Sequence, residues 1–260
     1  MPRAFWKGTI SFGLVAIPVR MSVAVRSKTP SFHLLHKKDL VRPQEVLYCP
    51  NDNEYFSRKD TVRGYEYAKG QYVPLTDADL NNVPVRTTHT IEITAFVEAG
   101  EIDPIYYNGS HYVEPEELGV KPFALLREAL VRTGRVGIAK VAFQRREHLC
   151  SLRPLGHILL LQTMHYQNEI LSPGELAPPK PEVNEKELEM AVTLIDAMTG
   201  SFKPEEYKDE YTLALQKVVQ AKIQGEKVEV PVPAQVEIED LMAALKASIE
   251  EAQKAGAAKG

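Results

Sequence analysis

His33 and His36, three residues apart with Cys49 downstream, are the nearest thing to a metal-ligand pattern in this chain of 260 residues. Cys150, between His148 and Arg153, is the nearest thing to a nucleophile beside a base. Neither pattern holds up chemically. A structural zinc takes four ligands, and Cys49 is followed by Pro50, Asn51 and Asp52, with no second cysteine in range. Cys150 stands in the run Leu149-Cys150-Ser151-Leu152, where a small buried hydrophobe is the common fate of a cysteine. There is no GxSxG elbow, Walker-A loop, GxGxxG fingerprint or HExxH pair. Glu114 to Glu117 and Glu185 to Glu189 read as loop charge and helix N-terminal charge. The chain is not expected to be an enzyme, and no metal or other cofactor is expected.

Positive charge is what remains. The chain carries −4 overall, yet Arg3, Lys7, Arg20, Arg26, Lys28, Lys37, Lys38 and Arg42 face only Asp39 and Glu45, a local net of +6. A second cluster, Lys121, Arg127, Arg132, Arg135, Lys140, Arg145, Arg146 and Arg153 against Glu128 and Glu147, is also +6. The acids are displaced to residues 151–260, with 11 basic and 18 acidic side chains. An acidic chain with two basic clusters reads as a protein with one face turned to a polyanion, nucleic acid above all.

The elements that must carry these charges are β-rich over residues 1–170. Thr9 to Val19, Val46 to Tyr48, Gln71 to Val73, Thr88 to Val97, Ile105 to Tyr107, Val136 to Phe143 and His157 to Met164 read as strands. Asn108-Gly109-Ser110 reads as a turn, and Gln144 to Pro154 as a polar connector. One helix interrupts the pattern, Lys121 to Thr133, with Phe123, Leu126 and Leu130 on one face and Gly134 as its stop. Short strands with one helix predict a mixed α+β, β-rich fold: a β-barrel with an inserted helix.

Residues 172–181, with four prolines, read as a linker into a helical segment. Asn184 and Glu187 suggest a capping box for a helix carrying Leu188, Ala191, Val192, Ile195 and Met198. A second helix is expected from near Pro204, carrying Tyr207, Tyr211, Leu215, Val218 and Ile223 to Gly225. Two helices are too few for a core of their own, so they must pack on the barrel or on a second subunit. A last amphipathic helix is expected over Ile238 to Gln253. No apolar run is long enough to span a bilayer. Arg3 and Lys7 precede an apolar stretch, but Ser11, Gly13 and Pro18 break it, so a strand is read here and not a signal peptide. The two cysteines of the chain fit a reducing compartment, and the protein is expected to be cytoplasmic.

Five blocks resemble the bacterial Ku proteins, in that family's order. They are Phe5-Trp6-Lys7-Gly8-Thr9-Ile10-Ser11-Phe12-Gly13-Leu14-Val15-Ala16-Ile17-Pro18-Val19; Arg63-Gly64-Tyr65-Glu66-Tyr67; Glu101-Ile102-Asp103-Pro104-Ile105-Tyr106-Tyr107; Ala124-Leu125-Leu126-Arg127-Glu128-Ala129-Leu130; and Arg146-Glu147-His148-Leu149-Cys150-Ser151-Leu152-Arg153-Pro154. The likeness covers roughly residues 3–170. It implies a Ku-type barrel core over 1–170 with a DNA-encircling bridge at about 26–70, and a helical dimerisation arm over 182–225. A C-terminal helix and tail over 236–260 would recruit DNA ligase D. The implied function is binding of double-stranded DNA ends as a ring-shaped homodimer, for non-homologous end joining at the bacterial nucleoid.

On that resemblance the DNA-binding candidates are Arg20, Arg26, Lys28, Lys37, Lys38, Arg42, Arg58, Lys59, Arg132, Arg135, Arg145 and Arg146. The dimerisation candidates are Leu188, Val192, Ile195, Tyr211, Leu215 and Val218, and the ligase-recruiting candidates are Leu241, Leu245 and Ile249. Some relatives carry a CxxC near the position of Cys49, which this chain lacks; many end in a lysine-rich extension, whereas only Lys254 and Lys259 follow the last helix here. Strong binding to intact internal duplex is therefore not expected. A barrel stacking single strands on Tyr65, Tyr67, Tyr72, Tyr106 and Tyr107 is the alternative; for those tyrosines, ordinary barrel packing is the preferred reading.

Overall fold

The computed structural model describes residues 3–83, 89–144, 146–176, 178–179, 181–226 and 244–250. Contacts divide the chain into two units, Met1–Ser172 and Pro173–Gly260.

The first unit is built on a closed barrel. Strands β1 (Ala4–Phe12) and β2 (Val15–Val23) are followed by a long insertion, which holds β3 (Leu47–Cys49), β4 (Glu54–Phe56), β5 (Arg63–Ala68), β6 (Gln71–Leu75) and a short helix α1 (Asp77–Asn81). The barrel resumes with β7 (Thr90–Glu98) and β8 (Tyr107–Pro115), then helix α2 (Val120–Thr133), β9 (Arg135–Phe143), β10 (Arg146–Leu155) and β11 (Ile158–Met164). The strand order is β1-β2-β8-β11-β10-β9-β7, closed by β1 against β7. That seam is the one parallel pairing among the described residues, Thr9 to Thr90 through Ser11 to Glu92; the other barrel pairs are antiparallel.

Alternation explains the core. Ile10, Ile17, Val19, Met21, Ile91, Val113, Val141, Cys150, Leu152, Leu159 and Leu161 are wholly buried, every second residue of a strand facing inward. Helix α2 adds Phe123, Leu126 and Leu130 to the same cluster. Its i, i+3, i+4 spacing makes that face, and Gly134, at φ 66°, ends it in the left-handed conformation. The mixed α+β, β-rich barrel expected from the sequence is the fold observed.

Thr9 to Val19, read as one strand, is the antiparallel hairpin of β1 and β2, which turns at Gly13, and Ile105 and Tyr106, read as strand, lie in a 3-10 turn over Pro104–Tyr106. Two polar segments, read as turn and connector, are strands instead. Asn108-Gly109-Ser110 is not a turn: it lies inside β8, and Ser110 sits opposite Gln162 of β11. Residues 146–154 are not a connector but most of β10. The cause is the same in both. Most of the polar side chains that suggested loops are exposed or half-buried in strands that also carry buried residues, although Ser151 is itself wholly buried. On β10 the charges also find partners, Arg146 with Glu169 at 2.9 Å and Glu147 with Lys140 at 3.1 Å.

The second unit contains α3 (Glu185–Met198) and α4 (Glu210–Gln224). The Asn184 side chain caps α3 by accepting from Lys186 N–H at 3.0 Å. Helix α4 starts later than the sequence suggested. Pro204 opens only a 3-10 turn, and Asp209 caps the helix by accepting from Thr212 N–H at 2.9 Å, so Tyr207 is outside it. Neither helix buries a single residue. No helix among the described residues is long and apolar enough to cross a membrane.

Candidate nucleic-acid interface

The insertion between β2 and β7 has no core: no described residue from 24 to 83 is buried. Its two hairpins, β3–β4 and β5–β6, are separate two-stranded sheets that do not pair with the barrel. Such sheets are marginal alone in water, so local bonds hold this segment. A capping box at Ser57 and Asp60 fixes the turn that bears Arg58 and Lys59. Another at Thr76 and Asp79 starts α1. Arg63 is tied to Asp77 at 3.1 Å.

Seven of the sequence-predicted phosphate contacts stand on this insertion: Arg26, Lys28, Lys37, Lys38, Arg42, Arg58 and Lys59. All are exposed, and none belongs to an ion pair among the described residues. The barrel candidates differ. Arg20 is bound to Glu114 at 3.2 Å, Arg132 to Glu128 at 3.2 Å and Arg146 to Glu169 at 2.9 Å. Arg135 is exposed and unpaired among the described residues, and Arg145 lies outside them. The structure therefore leaves the seven cations of the insertion outside any ion pair among the described residues and neutralises three of the four described candidates on the barrel. Charge counting missed this because it ignores register. One pairing was legible, since Glu128 and Arg132 stand one helical turn apart.

Carboxylates on the barrel rim are held ionised. Glu169 has its pKa pulled down by the Tyr166 backbone N–H at 2.8 Å and then by the Arg146 guanidinium. Lys140 is held above its ordinary value by the hydrogen bond and charge of Glu147. The Lys140–Glu147 pair joins β9 to β10 and the Arg146–Glu169 pair joins β10 to the 3-10 turn after β11, so their charge is already satisfied.

The residues that resembled catalysis are placed without it. Burial pushes the Cys150 thiol far up, which keeps it protonated and inert, and it donates to the Ala139 carbonyl at 3.3 Å. The His36 ring meets Asp39 at 2.9 Å inside a surface turn. No group of three or more metal-ligating side chains occurs among the described residues. Tyr65, Tyr67 and Tyr72, read as barrel packing, are instead exposed on the β5–β6 hairpin, each about three-fifths exposed. They are not barrel residues at all, which removes the barrel-mounted stacking platform. Tyr106 is engaged through its hydroxyl with Gln167.

The dimerisation candidates stand on the second unit. Leu188, Val192, Ile195 and Tyr211 are exposed, while Leu215 and Val218 are half-buried. Of the ligase-recruiting candidates, Leu245 and Ile249 are half-buried on a helical segment over 244–250, and Leu241 lies outside the described residues.

A closed seven-stranded barrel whose insertion displays cations outside any ion pair among the described residues presents a surface of the kind that suits a polyanion. Comparison with known proteins narrows this. The family model for Ku, described as the Ku70/Ku80 beta-barrel domain, matches residues 11–190. A Non-homologous end joining protein Ku of Solibacter usitatus is 41% identical over 97% of this chain and 95% of its own length. Proteins of the same name from Bacillus subtilis and Archaeoglobus fulgidus are 39% and 40% identical, over 96% and 95% of this chain and 82% and 98% of theirs. The chain belongs to the Ku family. Among solved structures, the SPOC domain of human PHD-finger protein 3 overlays at a TM-score of 0.31 and 13% identity, covering 62% of this chain and 95% of that one, which carries no argument.

Proposed function

We propose that this protein binds the ends of double-stranded DNA without sequence preference, as a ring-shaped homodimer, and serves non-homologous end joining by recruiting DNA ligase D and not by chemistry of its own. The observation that carries this is the insertion of 24–83, with seven exposed cations outside any ion pair among the described residues, in a chain of the Ku family. Break ends have arbitrary sequence, so a protein serving them must hold phosphate and sugar and leave base edges unread. Lysine and arginine on an exposed segment do that, and ring closure supplies the preference for ends, because a closed ring loads only where the duplex stops.

The homodimer is supported by the second unit. The apolar stripe of Leu188, Val192 and Ile195 on α3, with Tyr211, Leu215 and Val218 on α4, needs an apolar cover, and a two-fold axis would supply it while doubling the cationic insertion. Replacing Val192 and Ile195 together by aspartate is expected to leave the barrel folded and to shift the protein to monomer in sedimentation. Linear-end binding is expected to fall at least tenfold with it.

The reading as a whole is tested by mobility shift on linear and nick-free circular duplex of the same sequence. Linear DNA is expected to bind tightly, with steep salt dependence, and circles weakly. Equal binding of the two would overturn threading. Deleting residues 236–260 is expected to keep DNA binding and abolish stimulation of DNA ligase D; persisting stimulation would overturn that recruitment site.

A further inference from the structure

We propose that the insertion grips DNA through its outgoing limb alone, residues 24–42, with Lys37 and Lys38 presented by a preformed turn, and that the returning limb, residues 43–83, turns phosphate away. This rests on the DNA-end reading above and divides the cations which that reading had left together.

The limbs carry opposite charge. On the outgoing limb Arg26, Lys28, Lys37, Lys38 and Arg42 face only Asp39, a net of +4. On the returning limb Arg58, Lys59, Arg63 and Lys69 face Glu45, Asp52, Glu54, Asp60, Glu66, Asp77 and Asp79, a net of −3. Its negative charge is durable. Hydrogen bonds from Cys49 and the Glu54 backbone hold Asp52 below the usual carboxylate range, and the Thr76 side chain and N–H do the same for Asp79. Arg63 is spoken for by Asp77, the Asp60 carboxylate lies one and two residues from Lys59 and Arg58, and Lys69 stands three residues from Glu66. The Asp60 carboxylate, in the same turn, opposes a phosphate that approaches Arg58 or Lys59, and the limb's net negative charge adds to it.

The outgoing limb has a built feature where its lysines sit. His36 N–H donates to the Val41 carbonyl at 2.8 Å, and Leu40 N–H to the His36 carbonyl at 2.8 Å, with Leu40 at φ 57°. The Asp39 carboxylate accepts from Val41 N–H at 3.1 Å and meets the His36 ring nitrogen at 2.9 Å. The one acid of this limb is thus consumed in closing the turn, and Lys37 and Lys38 stand at its tip with no carboxylate partner among the described residues. A turn fixed before binding loses less conformational entropy when its lysines meet phosphate. Asp39 is a positioning residue in this scheme.

The test is fluorescence anisotropy of the full chain with a short blunt-ended duplex, titrated at several salt concentrations. Each lost phosphate contact lowers the magnitude of the log–log salt slope by about 0.9. Lys37→Ala with Lys38→Ala is expected to lower it by about 1.8 and to weaken binding at least tenfold. Arg58→Ala with Lys59→Ala is expected to leave the slope unchanged. Asp39→Ala separates positioning from charge. Charge alone would strengthen DNA binding on loss of an anion, whereas a loosened turn weakens it, and Asp39→Asn, which keeps an acceptor for Val41 N–H, is expected to hold wild-type affinity or better. Equal loss from the Lys37/Lys38 and Arg58/Lys59 pairs would overturn the division of limbs, and tighter binding by Asp39→Ala would overturn the turn. A wild-type protein indifferent to DNA ends would instead defeat the reading beneath both.

Discussion

Replacing Gly8 by alanine is expected to destabilise the barrel by about 3 kcal/mol or more, at the upper end of what overpacking costs. A Cβ built on Gly8 would lie 2.2 Å from the His89 carbonyl oxygen and 2.3 Å from the Trp6 ring. Neither neighbour can yield. Trp6 is buried in the core and its indole N–H donates to the Ala142 carbonyl at 3.1 Å. The His89 carbonyl accepts Thr9 N–H at 3.0 Å, next to the parallel pairing of β1 with β7 that closes the barrel. A methyl at Gly8 therefore presses on the one seam where first and last strands of the sheet order meet. Gly100→Ala, with nothing within 4 Å of its Cβ, is the control and is expected to change stability by less than about 0.5 kcal/mol. Urea unfolding followed by the fluorescence of Trp6 measures both. A near-neutral Gly8→Ala would mean that the closure does not depend on close approach at this point.

That seam shows where sequence reading stops. Alternation along Thr90 to Val97 and the apolar spacing of Phe123, Leu126 and Leu130 betray elements because period alone decides them. Gly8 gave no such signal, since its role is a distance to a carbonyl 81 positions away. β8 and β10 were hidden for a related reason: Asn108-Gly109-Ser110 and Arg146-Glu147 carry turn-like or charged side chains, and only the barrel tells which of them face out. The candidate interface divides in the same way. Basic residue types on the insertion are visible in the sequence, while the ion pairs that neutralise Arg20, Arg132 and Arg146 depend on register and rotamer. The exposed tyrosines of β5–β6 follow suit, because aromatic composition cannot distinguish a packed strand from a hairpin standing clear of the barrel.

Stability is expected to fall as the pH drops from 7 toward 5, and His111 and His148 are the groups responsible. His111 is buried among the rings of Phe5 and Phe143, at centroid distances of 5.5 and 5.4 Å, and His148 stacks on Phe143 at 4.3 Å. The Nδ1 of His111 and the Nε2 of His148 are buried without a hydrogen-bond partner among the described residues. Burial lowers the His111 pKa, helped by the nearby His148 charge; burial also lowers that of His148, helped by Arg146 and opposed by the Phe143 backbone and Glu169. Both imidazoles are therefore neutral in the folded chain at a pH where the unfolded chain has begun to protonate them near 6.5. The unfolded state then binds more protons, so stability rises with pH through this window and is lost as pH falls below the unfolded value. Each histidine contributes a slope of at most about 1.4 kcal/mol per pH unit while it is charged only when unfolded. The carboxylates do not confuse the window, because the shifted ones, Asp52, Asp79, Glu169 and Asp209, are all lowered from values already below pH 5. His111→Phe, which extends the aromatic cluster and removes the titrating group, is expected to flatten the urea midpoint between pH 7 and 5 relative to wild type. An unchanged slope in His111→Phe and in the double variant with His148→Phe would place the acid sensitivity elsewhere in the chain.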